Sequence, residues 1–177
     1  YFEGKSGAKK QYSTAIVKKR ITYIRQGDTN YKKTPLATLL DAAKTQKLSS
    51  AQSYRAAMGI LEEFGMQPIA NRKMIHLSIG TRKKIELMKV FLQDPRLIII
   101  DDPGFDSLDD NFVHNYVKKL KKSVNQDNRT LVIASAQSLA RHRLIDITLS
   151  MNKGHIIRVE KTYQRKPDTR NKSAKKS

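Results

Sequence analysis

The sequence lacks cysteine and tryptophan altogether, and only four of its 177 residues are histidines. Without cysteine the chain can form neither a disulfide framework nor a thiolate metal site. The histidines at positions 76, 114, 142 and 155 are scattered, without the spacing that zinc ligands use. We therefore set aside a zinc site and a cysteine nucleophile.

Long apolar runs are also missing. The run Leu97–Ile100 is far shorter than the roughly 20 residues that a membrane-spanning helix needs. No secretory signal opens the sequence, so we expect a cytosolic location. A chain of 177 residues can bury one core, and we expect one domain with tails.

Acidic residues are scarce, with 16 Asp and Glu against 35 Lys and Arg, which gives a net charge of +19. Such an excess favours non-specific contact with nucleic acid or anionic lipid, but a lysine-rich solvated surface would have the same composition. The segment 161–177 has almost no apolar side chains and is predicted to be a disordered basic tail.

The stretch 77–109 carries the strongest pattern. Ser78 is placed to cap a helix, and Gly80 in its first turn would let another group approach the backbone closely. Apolar residues then recur at helical spacing, which predicts one buried face: Ile85, Met88, Phe91 and Leu92.

An unbroken β-favouring run, Leu97–Ile100, follows that helix and predicts a strand covered on both faces in a parallel sheet. Asp101 and Asp102 come directly after it. Open α/β sheets bind their ligands at the carboxyl ends of their strands, so this acid pair is the first candidate for a functional site.

Other segments supply the remaining elements. Strands are predicted at 21–24, 131–134 and 147–151, the last two buried, and the turn at 152–154 should lead into a closing hairpin strand. Helices are predicted between 36 and 64, the second capped by Ser50 and stopped by Gly65, and again at 112–120.

The motifs of the stretch 77–109, taken in order, resemble the ATP-binding domain of ABC (ATP-binding cassette) proteins. Leu77-Ser78-Ile79-Gly80-Thr81 resembles the signature motif, usually LSGGQ, and Leu97–Asp102 resembles the Walker B strand. Ser107-Leu108-Asp109 resembles the D-loop, and Gln26 after the first strand resembles the Q-loop glutamine.

The resemblance implies an α/β fold of the P-loop NTPase type, a mainly parallel sheet flanked by helices. Residues 1–160 would form a partial ABC ATPase domain with a helical subdomain at about 34–76. ATP and Mg²⁺ are the implied cofactors. Asp101 and Gln26 would hold the metal, Asp102 and Gln26 would serve catalysis, and the signature would contact ATP bound by a partner subunit.

The chain also departs from the family pattern. Ile79 and Thr81 replace a glycine and a glutamine of the signature, and Asp102 stands where the family usually has glutamate. Ala136, followed by Gln137, occupies the position of the switch histidine. Gly4-Lys5-Ser6 looks like the end of a phosphate-binding loop, but no glycine-rich turn precedes it, so we predict a surface hairpin there.

The resemblance implies the ATP-binding subunit of an ABC transporter with slow hydrolysis. Its partners would be transmembrane permease subunits and a second ABC ATPase domain, alike or different, at the inner face of the cell membrane. Two alternatives remain open. One is a soluble ABC-type ATPase acting on ribosomes or nucleic acid, and the other is a non-hydrolysing regulatory subunit. In either case the basic tail is a candidate contact for nucleic acid or anionic lipid.

Overall fold

The structure, a computed structural model, describes residues 2–3, 9–10, 20–25, 30–46, 48–136 and 145–161. The chain divides into two compact units, residues 1–136 and 137–177. Within the parts that the structure describes, no helix is both long and apolar enough to cross a membrane.

A three-stranded parallel sheet forms the centre of the first unit. Its strands are β3 (Ile21–Ile24), β4 (Leu97–Asp101) and β5 (Thr130–Ala134), in the order β3-β4-β5. Ile98 and Ile100 on the central strand are completely buried, whereas Leu97 and Ile99, which point to the opposite face, are half-buried. The expected full cover on both faces is therefore met on one face only. The predicted strands at 21–24, 97–100 and 131–134 are confirmed, but the expected burial of 131–134 is wrong, because residues in β5 alternate between exposed and half-buried and Val132 is 49% exposed. Among the described residues, the outer edge of β5 has no neighbouring strand.

A short antiparallel pair precedes this sheet, made of β1 (Phe2–Glu3) and β2 (Lys9–Lys10). This pairing agrees with the hairpin expected around Gly4-Lys5-Ser6. Those three residues themselves lie outside the described residues.

Two helices follow β3, α1 (Pro35–Ala43) and α2 (Ser50–Glu63). The prediction that Ser50 caps the second helix is wrong. Ser49 is the cap, because its hydroxyl accepts from the Gln52 N–H while the Gln52 side chain accepts from the Ser49 N–H, a reciprocal capping box. Gly65 ends the helix with φ +67°, as predicted.

The next helix, α3 (Ile79–Met88), continues into a 3₁₀ turn at Lys89–Leu92 and leads into β4. The fourth helix, α4 (Asp110–Gln126), packs through an apolar face that is buried as the spacing predicts: Phe112, Val113, Tyr116, Val117 and Leu120. Tyr116 is completely buried and contacts the rings of Phe64, Phe91, Phe105 and Phe112.

The second unit contains an antiparallel hairpin of β6 (Ile147–Asn152) and β7 (His155–Lys161). Lys153 and Gly154 form a two-residue turn with φ +47° and +80°, the left-handed geometry that matches strand twist. The expected closing hairpin is confirmed, but the expected burial of 147–151 is wrong. Ile147, Leu149 and Met151 are more than half exposed.

The strand β7 runs to Lys161, so the first residue of the predicted tail belongs to a strand. Residues 162–177 lie outside the described part of the chain. His76 and His114 are both exposed.

Candidate functional site

The acid pair lies at the carboxyl end of the central strand. Asp101 is the last residue of β4 and is exposed. Its Oδ2 accepts a hydrogen bond of 3.0 Å from the Tyr23 phenol, because Tyr23 on the parallel neighbour β3 is near the same sheet edge. One carboxylate oxygen is thus held by the protein.

Asp102 adopts a left-handed backbone, with φ +48°. Its N–H donates to the carbonyl of Ala134 at 2.8 Å, which ties the turn to the end of β5. Aspartate tolerates this region better than most residues, yet the conformation is uncommon and often marks functional turns. The structure therefore places two consecutive carboxylates in different backbone conformations at one sheet edge.

The N-terminus of α3 lies near this edge. Ser78 caps the helix as predicted, its Oγ accepting from the Thr81 N–H at 3.1 Å and lying 2.8 Å from the Thr81 hydroxyl. Ile79, the first helical residue, is 76% exposed. A helix start carries partial positive charge and unpaired N–H groups, which suits an anion, but here an apolar side chain stands beside them.

α3 lies next to the D-loop-like segment at Gly80, at a distance that would also accommodate a Cβ. A Cβ at position 80 would lie 3.7 Å from the Ser107 carbonyl oxygen and 3.9 Å from Leu108 Cδ2. Ser107 closes its own turn, donating from Oγ to the Gly104 carbonyl at 2.7 Å. The signature-like and D-loop-like residues, distant in sequence, are therefore neighbours.

Asp109 is the N-cap of α4. Its Oδ1 accepts from the Phe112 N–H at 2.8 Å, and its other oxygen pairs with Lys84. The Lys84 ammonium, together with the Phe112 N–H, holds the pKa of Asp109 below its usual range despite a small opposing effect of burial. In this chain Asp109 has a clear structural role.

A cleft of about 250 Å³ opens between α3 and the carboxyl ends of β3 and β4. Predicted and unpredicted residues line it together, namely Ile24, Arg25, Tyr31, Ile79, Arg82, Lys83, Glu86, Leu87, Ile100, Asp101, Asp102 and Pro103. The sequence patterns did not single out Arg25, Tyr31, Arg82 or Lys83. Only the chain fold brings them beside the acid pair.

Four contacts join the segment after β3, the segment before α3 and α3 itself. The carbonyls of Tyr31 and Lys33 accept from the N–H groups of Ile75 and Met74, at 3.1 and 2.8 Å. Arg82 on α3 stacks over the Tyr31 ring at 4.8 Å and reaches the Met74 carbonyl at 3.5 Å. The segment after β3 and the segment before α3 are thereby fastened to each other.

Two predicted site residues are not placed by the structure. Gln26 and Gln137 lie outside the described residues. Ala136 is described and exposed, two residues beyond the carbonyl that binds Asp102. Its methyl group offers no proton and no charge.

The acid pair suits a hard cation such as Mg²⁺, which prefers carboxylate oxygens. In the described ranges, no group of three or more His, Asp or Glu side chains could enclose a metal ion. Asp101 and Asp102 therefore fit a magnesium ion that takes its other ligands from phosphate and water, not one caged by protein alone.

Comparison with known proteins gives a consistent result. A protein-family model described as "ABC transporter" matches residues 2–104. The chain is 28% identical over 124 residues to the phosphonates import ATP-binding protein PhnC of Treponema denticola, covering 62% of this chain and 47% of the relative. It is 31% identical over 102 residues to the energy-coupling factor transporter ATP-binding protein EcfA2 of Staphylococcus epidermidis, covering 57% and 35%.

Solved structures agree with the fold. The structure described as an ATP binding subunit of an ABC transporter superposes with a TM-score of 0.69 at 24% identity, covering 81% of this chain and 59% of the other. The ADP- and Pi-bound dimer of the ATP-binding cassette MJ0796 gives 0.71 at 19% identity, covering 87% and 69%. The chain spans no more than about half the length of these two curated relatives.

Proposed function

The chain belongs to the ABC transporter family, and from this premise we propose that it is part of a subunit that binds ATP and drives a separate membrane permease. The family membership rests on the family match and on the curated relatives. We propose ATP and Mg²⁺ as cofactors. We place the subunit at the cytoplasmic face of the cell membrane, with permease subunits and a second ATPase domain as partners.

One observation carries the proposal. Asp101 and Asp102, at the carboxyl end of β4, line the same cleft as the first turns of α3. ATP hydrolysis needs a cation held by carboxylate, a base near water and donors for phosphate oxygens, and this arrangement supplies the first two from one turn. We assign Asp101 to the metal and Asp102 to the attacking water.

Other site assignments are part of the same proposal. Gln26 would share the metal and the water, and residues 77–81 would contact ATP bound by the partner subunit. Residues 107–109 would lie at the contact with that partner. We also propose residues 1–160 as a partial ATPase domain, with the helical subdomain at about 34–76 and a basic tail at its end.

Hydrolysis by this site should be slow. Aspartate at 102 is one methylene shorter than the family's glutamate, and a general base must reach the water within about 2.6–3.2 Å. Ala136 supplies no imidazole to the phosphate or to the water. Together these two residues favour a subunit that mainly binds ATP.

Steady-state phosphate release by the natural full-length protein with its partner subunits tests this proposal. Asp101→Asn should abolish magnesium-dependent release. Asp102→Glu should raise the rate slightly, and Asp102→Glu with Ala136→His considerably more, because groups that act as a unit are not additive. Wild-type release as fast as that of the double variant would show that the site is not impaired.

A further inference from the structure

Lys83 differs from the other cations around the cleft. Its neighbours Lys84 and Lys89 pair with Asp109 and Glu86, and Arg82 stacks over Tyr31. Lys83 is half-buried and lines the cleft, yet it has no hydrogen bond or ion pair with any residue that the structure describes.

The Lys83 ammonium lies against the backbone of Gly104. A Cβ built on Gly104 would lie 1.8 Å from Lys83 Nζ and 2.8 Å from Cε, so the ammonium rests directly against that backbone. Gly104 is only two residues beyond Asp102, in the turn that leaves the acid pair. The absence of a side chain at 104 is what allows Lys83 to extend this far.

A half-buried ammonium that pairs with none of the described residues attracts an anion. Its loss of hydration is offset best by a charge-assisted hydrogen bond, and phosphate oxygens are strong acceptors for lysine. The cleft also carries carboxylates at Asp101 and Asp102. A ligand that fits both must present a cation and an anion together, as a magnesium-chelated phosphate does.

The cleft has room for such a ligand. Its volume of about 250 Å³ is several times the roughly 30 Å³ that one water molecule occupies in the liquid. The alternative cations are less suitable, because Arg82 already binds Tyr31 and the Met74 carbonyl, and Arg25 has an interaction partner of its own.

We propose that Lys83 is a ligand-contacting residue that binds the phosphoryl oxygens of a magnesium-chelated di- or triphosphate in this cleft. This inference rests on the proposed function and deepens it, because it assigns a cation to a site where Ala136 leaves no imidazole. Lys83 neutralises negative charge on the phosphate beside the Asp102 carboxylate. Because Lys83 is on α3, the bound phosphate also contacts that helix.

The probe is magnesium pyrophosphate, titrated into the 177-residue chain and followed by ³¹P line broadening. Salt is held at about 0.15 M to screen the general positive charge, since the Debye length there is about 8 Å. Lys83→Met keeps the apolar stem but removes the charge, and Lys83→Arg keeps the charge. Lys118→Met, on the exposed face of α4, removes one charge away from the cleft and is the matched control.

We expect Lys83→Met to weaken binding at least about tenfold, the equivalent of one charge-assisted hydrogen bond near 1.4 kcal/mol. Lys83→Arg should restore binding to within about threefold, and Lys118→Met should change it by less than about twofold. Thermal unfolding of each variant identifies those that are folded. Wild-type-like binding by folded Lys83→Met, or an equal loss in Lys118→Met, would overturn the proposal.

Acylation of lysines, read by mass spectrometry, provides a second readout. Magnesium pyrophosphate should protect Lys83 from acylation but not Lys118, and a purely structural Lys83 would show no ligand-dependent protection. The two proposals can fail separately. Unaltered ATP hydrolysis in full-length Lys83→Met would exclude Lys83 from the site and leave the proposed transporter function intact. Phosphate binding that depends on Lys83, in a protein without any ATPase activity, would support the role of Lys83 and count against the proposed function.

Discussion

Single residues in this chain often serve the fold and the site at once, and Asp109 shows this most clearly. Its carboxylate caps α4 through Phe112 and pairs with Lys84 on α3. It therefore joins the helix that follows the D-loop-like segment to the helix that follows the signature-like motif. Loss of this side chain should loosen both attachments.

We predict that Asp109→Ala lowers the free energy of unfolding by about 1 kcal/mol at pH 7, within the range for lost N-caps. Asp109→Asn should cost less, because the amide oxygen still accepts from Phe112. Urea denaturation measures both. Asp110→Ala is the control, since Asp110 is exposed and is not the cap; an equal loss there would contradict the capping role.

The same residue predicts a pH dependence. The pKa of Asp109 is lower in the folded chain than the value of about 3.9 expected when unfolded, so its ionised form stabilises the fold. That contribution is complete above the unfolded value and is lost as the pH falls through the folded one. The stability gap between wild type and Asp109→Ala should therefore be constant from pH 7 to 5 and should narrow below about pH 4.

At the scale of elements, an aromatic cluster holds the helices together. Tyr116 on α4 contacts Phe91 at 5.3 Å, Phe112 at 5.7 Å and Phe105 at 5.9 Å between ring centroids, and its hydroxyl donates to the Leu87 carbonyl at 3.2 Å. The cluster includes Phe105, in the turn after the acid pair. Packing of α4 thus supports the loop that carries Asp102.

Tyr116→Ala should cost about 3–5 kcal/mol, the range for removing a buried aromatic ring, whereas Tyr116→Phe should cost about 1 kcal/mol for the lost hydrogen bond. Chemical denaturation gives both values. Tyr54→Phe, at a ring 49% exposed on α2, should be neutral. Burial raises the pKa of Tyr116 above its ordinary value of 10, so its phenol should stay protonated in an ultraviolet titration until the chain unfolds.

Sequence patterns predicted the helices and strands better than they predicted which of these elements are buried. Helical spacing identified the buried face of α4, and a polar residue before an apolar run identified Ser78 as a cap, because both signals are local. At the start of α2, Ser49 and Ser50 are both candidate caps. Gln52 distinguishes them, because it lies three residues after Ser49 and completes a capping box only with that serine. The β6 strand is as apolar as a buried one, but burial depends on a covering layer that no local pattern reports.

The candidate site shows the same division. The acid pair and the signature-like motif are contiguous in sequence and were predicted. Lys83 and Tyr31 were not, because a lysine or a tyrosine acquires its significance only from what the fold places beside it. The left-handed backbone of Asp102 could not be predicted from the sequence either, since its N–H binds the Ala134 carbonyl on the neighbouring strand.

At the scale of the whole molecule, a net charge of +19 acts against association through β5, whose outer edge has no neighbouring strand among the described residues. The β5 strand reads Thr-Leu-Val-Ile-Ala, with no charge or proline, and Val132 is 49% exposed. Unprotected edges of this composition template association between chains, while like charges keep chains apart.

We predict that the isolated chain is monomeric at low ionic strength and self-associates as salt is raised. Salt screens the repulsion between the positive charges but leaves the apolar contact between β5 edges in place. Val132→Lys should suppress this association by charging the edge strand. Sedimentation velocity at about 0.05 M and 0.5 M salt measures this association, because the repulsion between chains is long-ranged at the lower concentration and short-ranged at the higher one. The control is Lys118→Met, which changes net charge away from β5; association unaffected by Val132→Lys would exclude β5 as the contact.

The terminal segment should matter little to stability. Residues 162–177 contain six Lys or Arg, one Asp and few apolar side chains, too few to repay the entropy of ordering. Removing them after Lys161 leaves β7 whole. We expect the melting temperature to change by less than about 2 °C; calorimetry checks this, and a large drop would show that the segment packs on the domain.

Two hydrogen bonds join Tyr31 and Lys33 to Ile75 and Met74. They hold together the two ends of the segment of about forty residues that lies between β3 and α3. The chain leaves and returns at nearly one point, yet the segment between also packs on the rest of the fold, with the Phe64 ring against Phe112 and Tyr116. Its exposed turns can be lengthened or exchanged in a chimaera. A replacement helix must keep the residues that pack on the domain if the acid pair and its cleft are to stay in place.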